Sequence, residues 1–258
     1  MAVSSNIIIP SGKVYVDLLD SAGNYTGEIY CSQTPEFKVS VESEKIDVDD
    51  IDEQVKVNLF SVATKVTRTA GFSVRNITDE VKEMFFIGDT VTVTQTTTPI
   101  VADPVNDGNG VLQGRYYQLG VSQNATGLRK LTSAVIKTGA TVHTVTTDYT
   151  IDLDSGRIKV VAGGGISDGD VLTADITPQA VSRTQVQSNQ TGPKQGSLRF
   201  ISNNVRGPAI EHFFPQVTFN PSGDQDYKNS EEPLAAGFDV GVETKEGFSQ
   251  LYIDGVAA

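Results

Sequence analysis

Residues 35–86 carry the most structured hydrophobic pattern of the chain. Phe37, Val39 and Val41 mark one side of a strand, and Lys38, Ser40 and Glu42 the other, the period of two expected of a half-buried strand. An acidic run follows, made of Glu42, Glu44, Asp47, Asp49, Asp50, Asp52 and Glu53 and relieved only by Lys45. Val55, Val57 and Leu59 then resume the alternation, and residues 65–69 continue it with polar side chains at alternate positions. The pattern predicts a long hairpin with one wet face and a loop of crowded like charges. Such a hairpin suits a compact monomer poorly and suits a subunit that adds strands to its neighbours; in a ring its wet face would line a water-filled channel. A short helix comes next. Thr78 is placed as its N-cap, with Asp79 and Glu80 in the first turn. Ile77, Val81, Met84 and Phe85 recur at helical spacing, so one apolar stripe should pack on an open sheet face, and Gly88 stands where the helix should stop.

The remaining pattern is that of short strands and turns. Val14, Val16 and Leu18 alternate before a turn at residues 21–24, and residues 28–31 return as the second arm of an N-terminal hairpin. Residues 91–94 read as a strand, and residues 95–110 as a mobile loop or an interface arm. Residues 111–177 read as a coherent β unit, with turns at residues 138–139, 154–156, 162–165 and 168–170. Residues 182–196 are polar and read as a loop. Residues 197–201, 216–219, 238–242 and 251–253 are the last strand candidates. No internal repeat stands out. The expected class is mainly β: one domain over residues 1–258, with 111–177 a further β unit within it.

Composition agrees with a β protein of modest core. The 258 residues are 38% hydrophobic and contain no Trp. The formal charge of −12 favours solubility and opposes tight binding to nucleic-acid phosphates. Cys31 is the single cysteine, so an intramolecular disulfide framework is excluded, and its setting after Ile29 and Tyr30 predicts a small buried hydrophobe. The first residues lack the basic and apolar regions of a secretory signal, and no apolar run approaches the roughly 18 residues of a membrane-spanning helix. Synthesis and assembly in the cytoplasm are expected.

Candidate chemistry is sparse, and no enzyme is expected. His143 and His212 are far apart in sequence and have no Cys neighbours; a sheet or interface role suits them better than a metal. No G-x-S-x-G elbow accompanies them. Asp152-Leu153-Asp154-Ser155-Gly156 and Asp168-Gly169-Asp170 lack the spacing of a calcium loop and read as hairpin turns. Gly163, Gly164 and Gly165 are followed by neither Lys-Ser/Thr nor a helix pattern, so no phosphate cradle is expected. No cofactor or metal is implied. The acidic run admits three readings: a solvated loop, a docking loop for a basic patch on a neighbour, or a divalent-cation site.

The segment Thr34-Pro35-Glu36-Phe37-Lys38-Val39-Ser40-Val41-Glu42-Ser43-Glu44-Lys45, the long hairpin, and Ile77-Thr78-Asp79-Glu80-Val81-Lys82-Glu83-Met84-Phe85-Phe86-Ile87-Gly88 together resemble the tail tube (major tail) proteins of long-tailed bacteriophages. The stretches at 147–170 and 195–208 are similar to what those proteins show. The motifs are patterns of β structure without catalytic invariants. The resemblance implies a β-sandwich with one flanking helix, whose long hairpin contributes to an inter-subunit β-barrel; closure of the barrel removes exposed edges. It also implies hexameric rings stacked into a tube, with an acidic lumen through which double-stranded DNA slides without sticking. Implied partners are further copies of the chain, a tape-measure protein, a tail terminator and tail-tip or baseplate proteins. The implied location is the virion tail. Within that frame Glu42, Glu44, Asp47, Asp49, Asp50, Asp52 and Glu53 are the candidate inter-ring docking loop, to which the N-terminal arm or residues 95–110 could add. The 111–177 unit makes the chain larger than a minimal tube subunit. The alternative is a virion decoration or receptor-binding β-sandwich, for which Tyr116-Tyr117 and Phe213-Phe214 are the candidate exposed aromatics.

Overall fold

A computed structural model describes residues 7–50, 57–188, 192–228 and 231–255. In chain order its elements are β1 Gly12–Leu18, β2 Ile29–Cys31, β3 Glu36–Asp50, β4 Val57–Val74, α1 Asp79–Phe86, β5 Asp89–Gln95, β6 Ile100–Pro104, β7 Tyr116–Gln118 and β8 Leu131–Thr138. They continue with β9 Thr141–Val142, β10 Tyr149–Asp152, β11 Arg157–Val160, β12 Thr173–Pro178 and β13 Val181–Gln187. The last are β14 Lys194–Ser202, β15 Ile210–Ser222, β16 Ala236–Val242 and β17 Tyr252–Gly255. The fold is mainly β, a sandwich-type arrangement of antiparallel sheets with a single α-helix among the described residues and no closed barrel. The chain divides into two compact units, Met1–Val91 with Val186–Ala258, and Thr92–Gln185. Residues 111–177 fall inside the second.

The first unit is built on one sheet of order β2-β1-β14-β15-β16-β4-β3, with β17 added on β15. Val14, Val16 and Leu18 face its core because strand alternation puts every second side chain on one side. They meet Leu198, Phe214, Val217, Phe219, Phe238 and Val240, all buried. Helix α1 covers this face, packing on β15 and β16 through buried Val81 and Met84 and an edge-to-face contact of Phe85 with Phe238 at 6.2 Å. Thr78 caps the helix as the pattern requires, its hydroxyl accepting from Val81 N. The stop differs from expectation. Ile87, not Gly88, takes the left-handed cap (φ 49°), and the N–H groups of both Ile87 and Gly88 donate to the Glu83 carbonyl. Gly88 answers to a different constraint: a Cβ there would meet the Gln187 carbonyl oxygen at 2.7 Å.

The second unit has its own core, with Ile136, Tyr149, Ile158, Ile166, Leu172 and Ile176 among its buried members. Two sheets supply it, β6-β12-β8-β9 and β10-β11-β7. The chain enters this unit along β5 and returns along β13, and those two strands pair with each other. Two stretches read as loops are ordered strands. Residues 95–110 contain β6, paired with β12, and a 3-10 turn at Val105–Gly108 that buries Val105. Residues 182–196 contain most of β13 and the start of β14. In β13 the polar side chains on its exposed positions hide the strand in the sequence, whereas in β6 the usual pattern is inverted, with Asp103 buried and Val101 exposed.

Candidate functional site

The hairpin of β3 and β4 leaves the body of the first unit. Its ladder runs from Glu36↔Ser73 to Asp50↔Val57. Strand β4 has a second neighbour, β16, only from Thr69 to Val74. Strand β3 is the end of the sheet, so among the described residues no strand pairs with its outer edge. Beyond Thr69 the hairpin is thus a two-stranded ribbon, an arrangement that is at best marginally stable in water unless one face is covered.

The root of the hairpin belongs to the core. Phe72 and Ala70 are buried, and Phe37 stacks on Phe200 with ring centroids 4.5 Å apart. From Val41 to Asp49, and from Asn58 to Thr67, every residue is exposed. Seven large apolar side chains lie in this region: Val41, Ile46, Val48, Leu59, Phe60, Val62 and Val66. The register makes Ile46 the partner of Val62 and Val48 the partner of Phe60, and directly paired residues share a face. Strand alternation then places the apolar side of the ribbon on opposite faces at its two ends. Near the root, Phe37, Val39 and Val41 point one way; further out, Ile46 and Val48 point the other, while Lys45, Asp47 and Asp49 occupy the side that began as the core side. The change falls where the register shifts between Glu44 and Lys45; a second shift lies between Val48 and Asp49.

Polar contacts hold the ribbon's outer part. Ser61 donates to Asp47, Asn58 Nδ2 donates to Ser61 Oγ at 3.2 Å, and Lys65 pairs with Glu44 at 3.2 Å. The Lys65–Glu44 pair is exposed on both sides and contributes little to stability.

The described acidic residues of the expected docking loop lie in a strand. Glu42, Glu44, Asp47 and Asp49 lie within β3, exposed and paired across to β4, and Asp50 is the last residue of that strand. They are rungs of a strand, so the acidic charge is spread along the ribbon and over both of its faces. Asp52 and Glu53 lie outside the described residues, as does the N-terminal segment 1–6. The four outer apolar residues Ile46, Val48, Phe60 and Val62 were missed as a surface. Their signal was present, since Ile46 and Val48 alternate with Asp47 and Asp49 inside the acidic run, but the charges dominated the reading.

The histidines sit elsewhere. His143 is buried, its Nε2 2.8 Å from Thr138 Oγ1 and its Nδ1 3.6 Å from Asp148. The Asp148 carboxyl is held below the usual range by the N–H groups of Thr144 and Gly165 and by His143. His212 is half-buried; its Nδ1 has no hydrogen-bond partner, and burial lowers its pKa. No cluster of three or more His, Cys, Asp or Glu able to hold a metal occurs among the described residues. No helix among them is long and apolar enough to cross a membrane.

One family model matches residues 7–237, that of the family described as protein of unknown function UCP028589. The match spans most of the chain, which therefore belongs to that family. No curated protein matches it.

Proposed function

We propose that this member of the UCP028589 family is a self-assembling structural subunit of the tail-tube kind, forming hexameric rings that stack around a channel for double-stranded DNA. The observation that carries the reading is the outer ribbon of β3 and β4: the 15-residue β3 has no strand on its outer edge among the described residues, and the two strands together carry seven exposed apolar side chains, four of them paired across one face. Natural proteins blunt long edges or cover them. Here the cover is a neighbouring copy. Each apolar side chain that becomes fully buried contributes about 1.5–3 kcal/mol, and strand-to-strand pairing satisfies the open backbone groups.

The opposite face of the outer ribbon, with Lys45, Asp47, Asp49 and Ser61, then faces the channel. Its carboxylates repel phosphates and keep DNA moving. In this reading a tape-measure protein, a tail terminator and tail-tip or baseplate proteins are the further partners, and the virion tail is the location. The resemblance of residues 34–45 and 77–88 to tail tube proteins supports it. The test is negative-stain microscopy of the purified full chain over a range of concentrations. Rings or tubes with a central hole are expected. A monodisperse monomer at high concentration, unchanged by addition of tail-initiator proteins, overturns the reading.

A further inference from the structure

The acidic character of the chain is not shared by its second unit. Residues 92–185 hold seven Lys and Arg against eight Asp and Glu, a formal charge of −1, so −11 of the total −12 lies in the rest of the chain. Within this unit three guanidinium groups crowd together. Arg183 donates to Thr126 Oγ1 at 2.9 Å and to the Gly127 carbonyl at 3.0 Å. Arg129 donates to the carbonyls of Leu128 at 2.9 Å and Ser155 at 3.1 Å. Arg157 is exposed on β11. None of the three has a carboxylate within ion-pair distance among the described residues. Burial, followed by the charges of Arg183 and Arg157, lowers the pKa of Arg129. Arg157 stands across the ladder from Asp152, whose carboxyl it helps to hold low.

Arg129 and Arg157 line one surface depression of about 480 Å³, together with Ser155. Arg157 and Lys159 line a second of about 330 Å³, with Thr150, Tyr116 and one carboxylate, Asp152. The two depressions share Ser155 and Arg157, so they form one strip. Cross-strand pairing explains the grouping: Lys159 stands opposite both Tyr116 and Thr150 in the β10-β11-β7 sheet. The Tyr116 ring is 59% exposed, with Lys159 Nζ 5.3 Å and Arg157 Cζ 5.4 Å from its centroid.

We propose that this strip binds an acidic saccharide. The exposed tyrosine offers a flat apolar platform for a sugar ring, Arg129, Arg157 and Lys159 outnumber Asp152 and take ring carboxylates, and Thr150 supplies a hydroxyl, the Ser155 hydroxyl being held by Asp152 at 2.6 Å. Nucleic acid, whose charge lies on phosphates and not on the sugar ring, is the competing polyanion in the test. This inference goes beyond the tube reading and does not rest on it.

The experiment is calorimetric titration of the full chain at low salt with a tetragalacturonate, its fully methyl-esterified form, a hexaglutamate peptide and an oligothymidylate. Tetragalacturonate is expected to bind, with the neutral ester weaker by roughly tenfold or more. Arg157→Ala and Tyr116→Ala should each weaken binding by about tenfold, with the unfolding temperature unchanged, and Tyr116→Phe should retain it. Absence of tetragalacturonate binding, equal binding of the ester, or full binding by Tyr116→Ala overturns the proposal. So does hexaglutamate or oligothymidylate binding as tightly, which marks a plain anion patch. Ring formation by Tyr116→Ala, read by microscopy, keeps this outcome separate from the fate of the tube reading.

Discussion

Ile46 stands directly across from Val62 in the β3–β4 ladder, and both side chains are at least half exposed. Replacing this pair by Ile46→Lys with Val62→Asp leaves a cross-strand pair that a ribbon tolerates, yet removes apolar surface from its outer face. Monomer stability should shift by no more than about 0.5 kcal/mol. Assembly should be lost. Calorimetry and microscopy on the same preparation check both halves.

Asp49 and Asp50 close β3 at its outer end. Asp49→Lys combined with Asp50→Lys reverses charge there and should block stacking of rings without unfolding the subunit. Tube length distributions provide the readout, and unchanged lengths remove these residues from the inter-ring contact.

Cys31 is buried, and desolvation pushes its thiol up to about 12. Thiolate is the reactive form, so the folded chain should resist a thiol reagent at pH 8 and react at once when denatured. Rapid labelling of the native protein would show that β2 opens readily from β1.

Gly196 pairs with Leu18 between β1 and β14, and a Cβ on it would meet the Asp17 carbonyl oxygen at 2.1 Å. Gly196→Ala should therefore cost about 1–3 kcal/mol, the usual penalty of overpacking. Gly23, whose surroundings are open but whose φ is +83°, should also resent a side chain, through backbone strain. Denaturant titration of both variants tests the comparison.

Acid should destabilise the chain in two stages. Burial lowers the pKa of His212, so the unfolded chain binds a proton there that the folded chain refuses. That contribution is complete above an ordinary histidine value of about 6.5 and declines below it. Asp175 is held low by Lys137 and by the N–H of Ala102, and Asp148 by the N–H groups of Thr144 and Gly165. Their contribution is complete above the ordinary Asp value of about 3.9 and is lost as pH falls through their lower folded values. Unfolding temperatures across pH should show both declines, and His212→Gln should abolish the first alone.

Much of this fold was readable from periodicity. Val14, Val16 and Leu18 declared a half-buried strand, and Thr78 with Asp79 and Glu80 declared a helix start, because each pattern reports a local rule that the tertiary structure keeps. The failures share a cause. The acidic run was read as a loop since like charges disfavour a sheet, but β3 continues through it to Asp50 because Asp47 and Asp49 point to water on an exposed ribbon. Strand β13 escaped notice for the same reason. Ile87 in a left-handed cap runs against its own steric preference, and Gly88 is required by the close approach of Gln187 from another part of the chain. The Arg129, Arg157 and Arg183 grouping joins residues up to 54 positions apart, which no local pattern reports.

Strands β5 and β13 lie side by side where the chain departs and returns, so the excursion begins and ends about 5 Å apart, the width of one sheet rung. A module hung on such adjacent stems is a natural graft point. Exchange of residues 96–180 for a tight turn, or for another compact domain with neighbouring termini, should leave the pairing of β5 with β13 and the sheet of the first unit intact.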